Sequence, residues 1–175
     1  VPAAVLRYDE KQCLDLSVDA SLEAQVAAIA DDIAYDAHDI DDGLRAGLFS
    51  LGELRAAVPF VDGVMMEIDT LHPGLEASRA IHELTRRVIT RFIEDAIGES
   101  GRRIAEAKVD SPEAVAAAGR TLVGHTAVIE TAARDIKAFL VARMSRPPAV
   151  KRVRAPAARA GPRCFTAHVP GPPPL

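Results

Sequence analysis

The chain has 175 residues, 49% of them hydrophobic and 26% charged, with 21 basic and 25 acidic side chains and a net charge of −4. That is enough apolar material to bury a core, and the negative balance argues against a generic nucleic-acid binder. No run of 18 apolar residues marks a membrane span, and Cys13 and Cys164 lie too far apart to read as a disulfide framework or a metal knuckle. Aromatics make up 4%, Trp is absent and Ala is abundant, a combination that favours helices over a β-sandwich. The expected fold is all-α, with about six helices. Val1-Pro2 opens no signal peptide and the lack of Met points to an incomplete start, so cytoplasm is the default compartment.

Residues 1–20 are weakly patterned, with Val5, Leu6, Leu14, Leu16 and Val18 suggesting a short helix followed by an extended approach. Ser21 is a suitable N-cap, with Glu23 in the first turn. A long helix follows to about residue 47, with apolar residues at Leu22, Val26, Ile29, Ile33, Ala37, Ile40, Leu44 and Leu48. At 100° per residue Asp31, Tyr35, His38, Asp39 and Asp42 share the opposite side. Six aspartates lie between positions 31 and 42, and the nearest cation is Arg45. Like charges three or four apart cost roughly 0.2–0.5 kcal/mol per pair. A metal, a basic partner, or solvent and salt must therefore offset Asp32–Asp36, Asp36–Asp39 and Asp39–Asp42.

Ser50-Leu51-Gly52-Glu53 is a capping-box pattern that opens a short helix ended by Pro59. A second short helix is expected over 61–71, closed by His72-Pro73-Gly74. From Ser78 a long helix should bury Ile81, Leu84, Val88, Ile89, Phe92, Ile93, Ala96 and Ile97. Its Arg86 and Arg87 are cations suited either to phosphates or to an ordinary solvated, ion-paired face. Ser111-Pro112 starts another helix, running to Gly119. His125 has no nearby acid or second ligand and reads as a loop or capping residue before Thr126, which caps the last helix. That helix shows an apolar stripe from Val128 through Ile129, Ala132, Ile136, Phe139 and Leu140 to Met144.

From Ser145 the composition switches. Residues 146–175 hold eight of the twelve prolines, six Lys or Arg and no acid, a net of +6 against −10 for 1–145. Such a segment is expected to be disordered. A lost reading frame is one origin of so abrupt a switch, and electrostatic docking on the acidic helix is one role for its charge. His82-Glu83 lacks the second His of a zincin, Asp39-Ile40-Asp41-Asp42-Gly43 is not a calcium loop, and no phosphate-binding glycine loop occurs.

The stretch Leu22-Glu23-Ala24-Gln25-Val26-Ala27-Ala28-Ile29-Ala30-Asp31-Asp32-Ile33-Ala34-Tyr35-Asp36-Ala37-His38-Asp39-Ile40-Asp41-Asp42-Gly43-Leu44 closely resembles the bacterial dGTPase-like triphosphohydrolases of the HD superfamily. The similarity runs in order through Leu51-Gly52-Glu53-Leu54, His82-Glu83-Leu84 and Ala138-Phe139-Leu140, from near the first residue to about Met144. It implies hydrolysis of a dNTP to deoxynucleoside and triphosphate around a divalent metal such as Mg or Mn. That metal is held by a His, a His-Asp dipeptide and a final Asp that opens D-x-x-x-Y-x-x-x-D. Asp31, Tyr35 and Asp39 match the last motif. By carry-over Asp31 is a metal ligand, Tyr35 positions the nucleotide and Asp39 accepts a hydrogen bond from the deoxyribose 3′-hydroxyl.

No His precedes position 38, so the first His and the His-Asp pair have no counterpart. His38-Asp39 comes after Asp31, and on one helix its two side chains point about 100° apart. The resemblance therefore implies the C-terminal part of a dNTP triphosphohydrolase, inactive without its upstream HD segment and assembling as a homo-oligomer in the family. On that basis 1–48 is the end of the catalytic domain, 49–145 an associated helical domain and 146–175 the tail. The competing class is a non-catalytic helical interaction module that uses the acidic helix as its interface.

Overall fold

A computed structural model describes residues 1–14, 16, 18–145 and 160. The expected disorder of the tail falls outside the described residues, as does Cys164. Among the described residues every regular element is helical: α1 Ala3–Asp9, α2 Leu22–Arg45, α3 Leu51–Ala57, α4 Pro59–Leu71, α5 Ala77–Ala107, α6 Pro112–Ala116 and α7 Ala127–Leu140. A π-helical turn, Val141–Ser145, follows α7. The fold is all-α, as the composition indicates.

The helix boundaries follow from capping chemistry. Ser21 Oγ accepts from the Ala24 N–H at 3.3 Å, and its carbonyl accepts the first α2 bond, from Gln25. Ser50 and Glu53 form the full capping box at the start of α3, and Ser111 accepts from Ala114 N–H at α6. Val58 is extended, at φ −126° and ψ 97°, because a residue before proline is pushed out of the helical region. Pro59 thus ends α3 and, one residue later, serves as the first position of α4. α4 consequently begins two residues earlier than its apolar pattern suggests. Gly47 at φ +64° lies just past the end of α2, the left-handed position that favours glycine.

The chain divides into two compact units. Val1–Ala37 with Arg86–Thr131 form the first, and His38–Thr85 with Ala132–Leu175 the second. In the first, Val88, Phe92 and Ala96 of α5 are buried, together with Ile33 and Ala37 of α2, Val115, Leu122 and Ile129. In the second, Leu54, Val58, Val61, Val64, Met65 and Ile68 belong to a core completed by Ile136 and Phe139. Phe49 meets Phe139 edge-to-face at 4.9 Å and lies across Gly43, where an added Cβ would come within 2.2 Å of its ring. Four expected core positions are surface positions. Val26, Ile93 with Ile97, and Val128 are all exposed, so the apolar stripes of α2, α5 and α7 are wider than the faces they bury.

Candidate functional site

Helix α2 is the element that carries the candidate chemistry, and it runs unbroken for 24 residues. Its interior side is fixed by Ile33, Ala37 and Ile40, all buried. Helical geometry then turns positions 31, 35 and 39 outward, each about 40° around from the last. Asp31 is exposed, Tyr35 is 62% exposed and Asp39 is half-buried. An exposed phenol between two carboxylates offers an aromatic face, a hydroxyl and anionic oxygens along about 12 Å of helix.

Neighbouring charges are arranged differently from the bare pattern. Asp36 is 5% exposed, a buried carboxylate. Arg45 donates to Asp41 at 2.6 Å, one turn back, and that bond followed by the Asp41 charge raises the guanidinium's affinity for its proton. The other Asp41 oxygen, Oδ1, is buried without a hydrogen-bond partner among the described residues. Arg45 is thus engaged by Asp41 at the end of the helix. His38, next to Asp39 in sequence, is exposed.

A metal centre is not assembled by these residues. Among the described residues no three His, Cys, Asp or Glu side chains are placed to hold one ion. Hard cations require six or more oxygen ligands, several of them from the protein, and Asp31 supplies one carboxylate.

The structure also contains a polar cluster that sequence reading did not find. Asp95, on α5, accepts from Thr126 Oγ1 at 2.6 Å and from the Thr126 N–H at 3.0 Å, and it lies 3.1 Å from His125 Nδ1. His125 therefore does have an acid beside it, 30 residues upstream. The Thr126 hydroxyl donates to Asp95, while its carbonyl accepts the first α7 bond, from Glu130. Arg103 donates to the His125 carbonyl at 2.7 Å and to Glu99 at 2.8 Å. Its guanidinium lies so close over Gly124 that a Cβ there would sit 2.3 Å from Nη1. Gln25 of α2 accepts from the Leu122 and Val123 N–H groups at 2.9 and 3.0 Å. These bonds anchor the segment before α7 and bound an open cavity of about 560 Å³ lined by Ala24, Gln25, Ala28, Asp32, Arg103 and His125. Apart from the i, i+4 pair Arg103–Glu99, no sequence spacing signals this cluster, because its other partners lie 20 or more residues apart.

No family model matches the chain. Curated relatives do. It is 48% identical over 153 residues to a protein of Azorhizobium caulinodans, covering 87% of this chain and 38% of that one. It is 44% identical over 172 residues to one of Rhizobium etli, covering 98% and 42%, and 47% identical over 159 residues to one of Parvibaculum lavamentivorans, covering 91% and 40%. All three are named deoxyguanosinetriphosphate triphosphohydrolase-like proteins. The match to the Rhizobium etli protein extends through 172 of the 175 residues, past Met144, where the motif-based similarity stops. The chain spans about two fifths of the length of the curated relatives it matches. It is a homologue of the deoxyguanosinetriphosphate triphosphohydrolase-like proteins over nearly its whole sequence.

Proposed function

We propose that the chain contributes one wall of a metal-dependent dNTP triphosphohydrolase of the HD type and is inactive by itself. The observation that carries this reading is the outward set Asp31, Tyr35 and Asp39 on one continuous helix, in a chain whose relatives are named dGTPase-like. In the complete site Asp31 contributes one ligand to a divalent metal such as Mg or Mn. Tyr35 orients the nucleotide through its ring and hydroxyl, and Asp39 accepts from the sugar 3′-hydroxyl. Residues 1–48 belong to the catalytic domain and 49–145 to a helical domain that supports it. The substrate is a dNTP, the compartment the cytoplasm, and the remaining ligands come from an HD segment that this chain does not contain. The competing reading is a non-catalytic helical module that uses the acidic helix as its interface.

The two readings part in a complementation assay. Purified chain is mixed with dGTP and Mg or Mn, with and without a fragment comprising the part of the Azorhizobium relative that this chain does not match. Triphosphate release is then followed. The enzyme reading expects no release from the chain alone, release with the fragment, and loss of that release with Asp31→Ala. Failure of complementation by a folded pair supports the module.

A further inference from the structure

The recess between α2, the end of α5 and the segment ahead of α7 lies wholly within the first unit. Its lining is not used by the hydrolase reading. Ala24 and Ala28, one turn apart on α2, put no bulk into it, and with Ile29 and Val123 they give it an apolar floor. A volume of about 560 Å³ falls in the range of small-molecule sites.

Its polar groups are few and held in place. Arg103 commits two of its five N–H donors, one to Glu99 and one to the His125 carbonyl. Three donors remain on a guanidinium fixed from two sides. Glu130, in the first turn of α7, is exposed and has no hydrogen-bond or ion-pair partner among the described residues. Gln25 is engaged at both ends of its amide, by the Leu122 and Val123 N–H groups and by the Ala20 carbonyl, so it shapes the recess rather than serving a ligand.

We propose that this recess binds a guanine nucleoside. An arginine matches the O6 and N7 acceptors of guanine in a bidentate pair. A carboxylate matches the adjacent N1–H and N2–H donors in another, and the flat face of the base needs apolar surface. Arg103, Glu130 and the alanine floor supply one of each. Adenine turns an amino donor toward Arg103 in place of O6, and its N1 acceptor toward Glu130, so both pairs are lost. Phosphates are disfavoured by charge. Among the described lining residues Arg103 is the one arginine or lysine, against Asp32 and Glu130. A triphosphate meets that balance as repulsion, and an uncharged nucleoside does not. The proposed hydrolysis releases such a nucleoside, but Asp31, Tyr35 and Asp39 are not among the residues lining the recess, so neither proposal depends on the other.

Titration of deoxyguanosine into the isotope-labelled 175-residue chain, followed by amide chemical shifts, tests it. The expected result is saturable movement of the Val123, Gly124 and Glu130 signals at ligand concentrations below about 1 mM. Deoxyadenosine and dGTP should each bind about tenfold more weakly, or worse. Ala28→Leu fills the floor and should abolish binding, while the fold is kept because leucine suits an exposed helix position. Glu130→Gln, at an exposed side chain without a partner, should weaken deoxyguanosine about tenfold and narrow the gap to dGTP. No saturable shift with deoxyguanosine overturns the proposal. So does equal binding of deoxyadenosine, or binding indifferent to both Ala28→Leu and Glu130→Gln.

Discussion

Asp95 shows what a single residue does that its sequence neighbourhood does not announce. It sits between Glu94 and Ala96 on α5 like any solvated acid, but its two oxygens hold the hydroxyl and the N–H of Thr126 and meet the His125 ring. Its side chain is 15% exposed, and the His125 ring 11%. Hydrogen bonds to a charged group are worth about 1.5–3 kcal/mol each, and a donor left unpaired out of water adds its own penalty. Asp95→Ala should therefore cost roughly 2–4 kcal/mol, well above an ordinary surface substitution, measured by urea unfolding of the purified chain. A loss under 0.5 kcal/mol would mean that the cluster does not anchor the segment ahead of α7. Asp31, Tyr35 and Asp39 are a contrasting case. Their i, i+4, i+8 spacing is local, so it was legible before any coordinates, and helix geometry alone turns them to one side.

At the scale of elements, the capping signals were the most readable feature. Ser21, Ser50 with Glu53, and Ser111 with Pro112 all act within one turn of themselves, so sequence contains everything they need. Ser50→Ala removes the acceptor of the Glu53 N–H and a partner of the Glu53 carboxylate. A loss of about 1 kcal/mol is expected, seen as a lower denaturation midpoint with an unchanged slope. What sequence did not reveal is which part of each wide apolar stripe is covered. Ile93 and Ile97 have the same spacing as Phe92 and Ala96, and burial is decided by neighbouring helices that periodicity does not specify.

The end of α5 also sets a pH response. Glu99 lies among Arg102 and Arg103, with bonds of 2.8 Å to each. The hydrogen bonds from Arg102 and then Arg103 hold its carboxyl at about 2, against an ordinary value near 4.5. The folded state binds the proton less readily than the unfolded state. Glu99 therefore stabilises the fold in full above pH 4.5, and that contribution is lost as the pH falls from there toward 2. Glu99→Gln should flatten the fall in stability across this window. Identical pH profiles for the two proteins would show that the cluster is screened by solvent.

At the scale of the whole molecule, the all-α class and the order of the helices followed from composition and periodicity, while the division into two units did not. α2, α5 and α7 each run from one unit into the other, and such a division depends on contacts between residues distant in sequence. The candidate site was legible as a helix face and no further. A divalent metal needs ligands converging from several elements, and α2 offers one carboxylate at position 31. Tyr35 is exposed and has no hydrogen-bond partner among the described residues, so Tyr35→Phe should leave stability within about 0.5 kcal/mol while lowering the turnover of a complemented enzyme.

The most direct measurement is triphosphate release from dGTP by the purified chain, alone and with the unmatched part of a relative, in the presence of Mg or Mn. The expected result is no release from the chain alone, and release on complementation that Asp31→Ala abolishes without loss of fold. Metal-dependent release by the chain alone, or complemented release indifferent to Asp31, would contradict it.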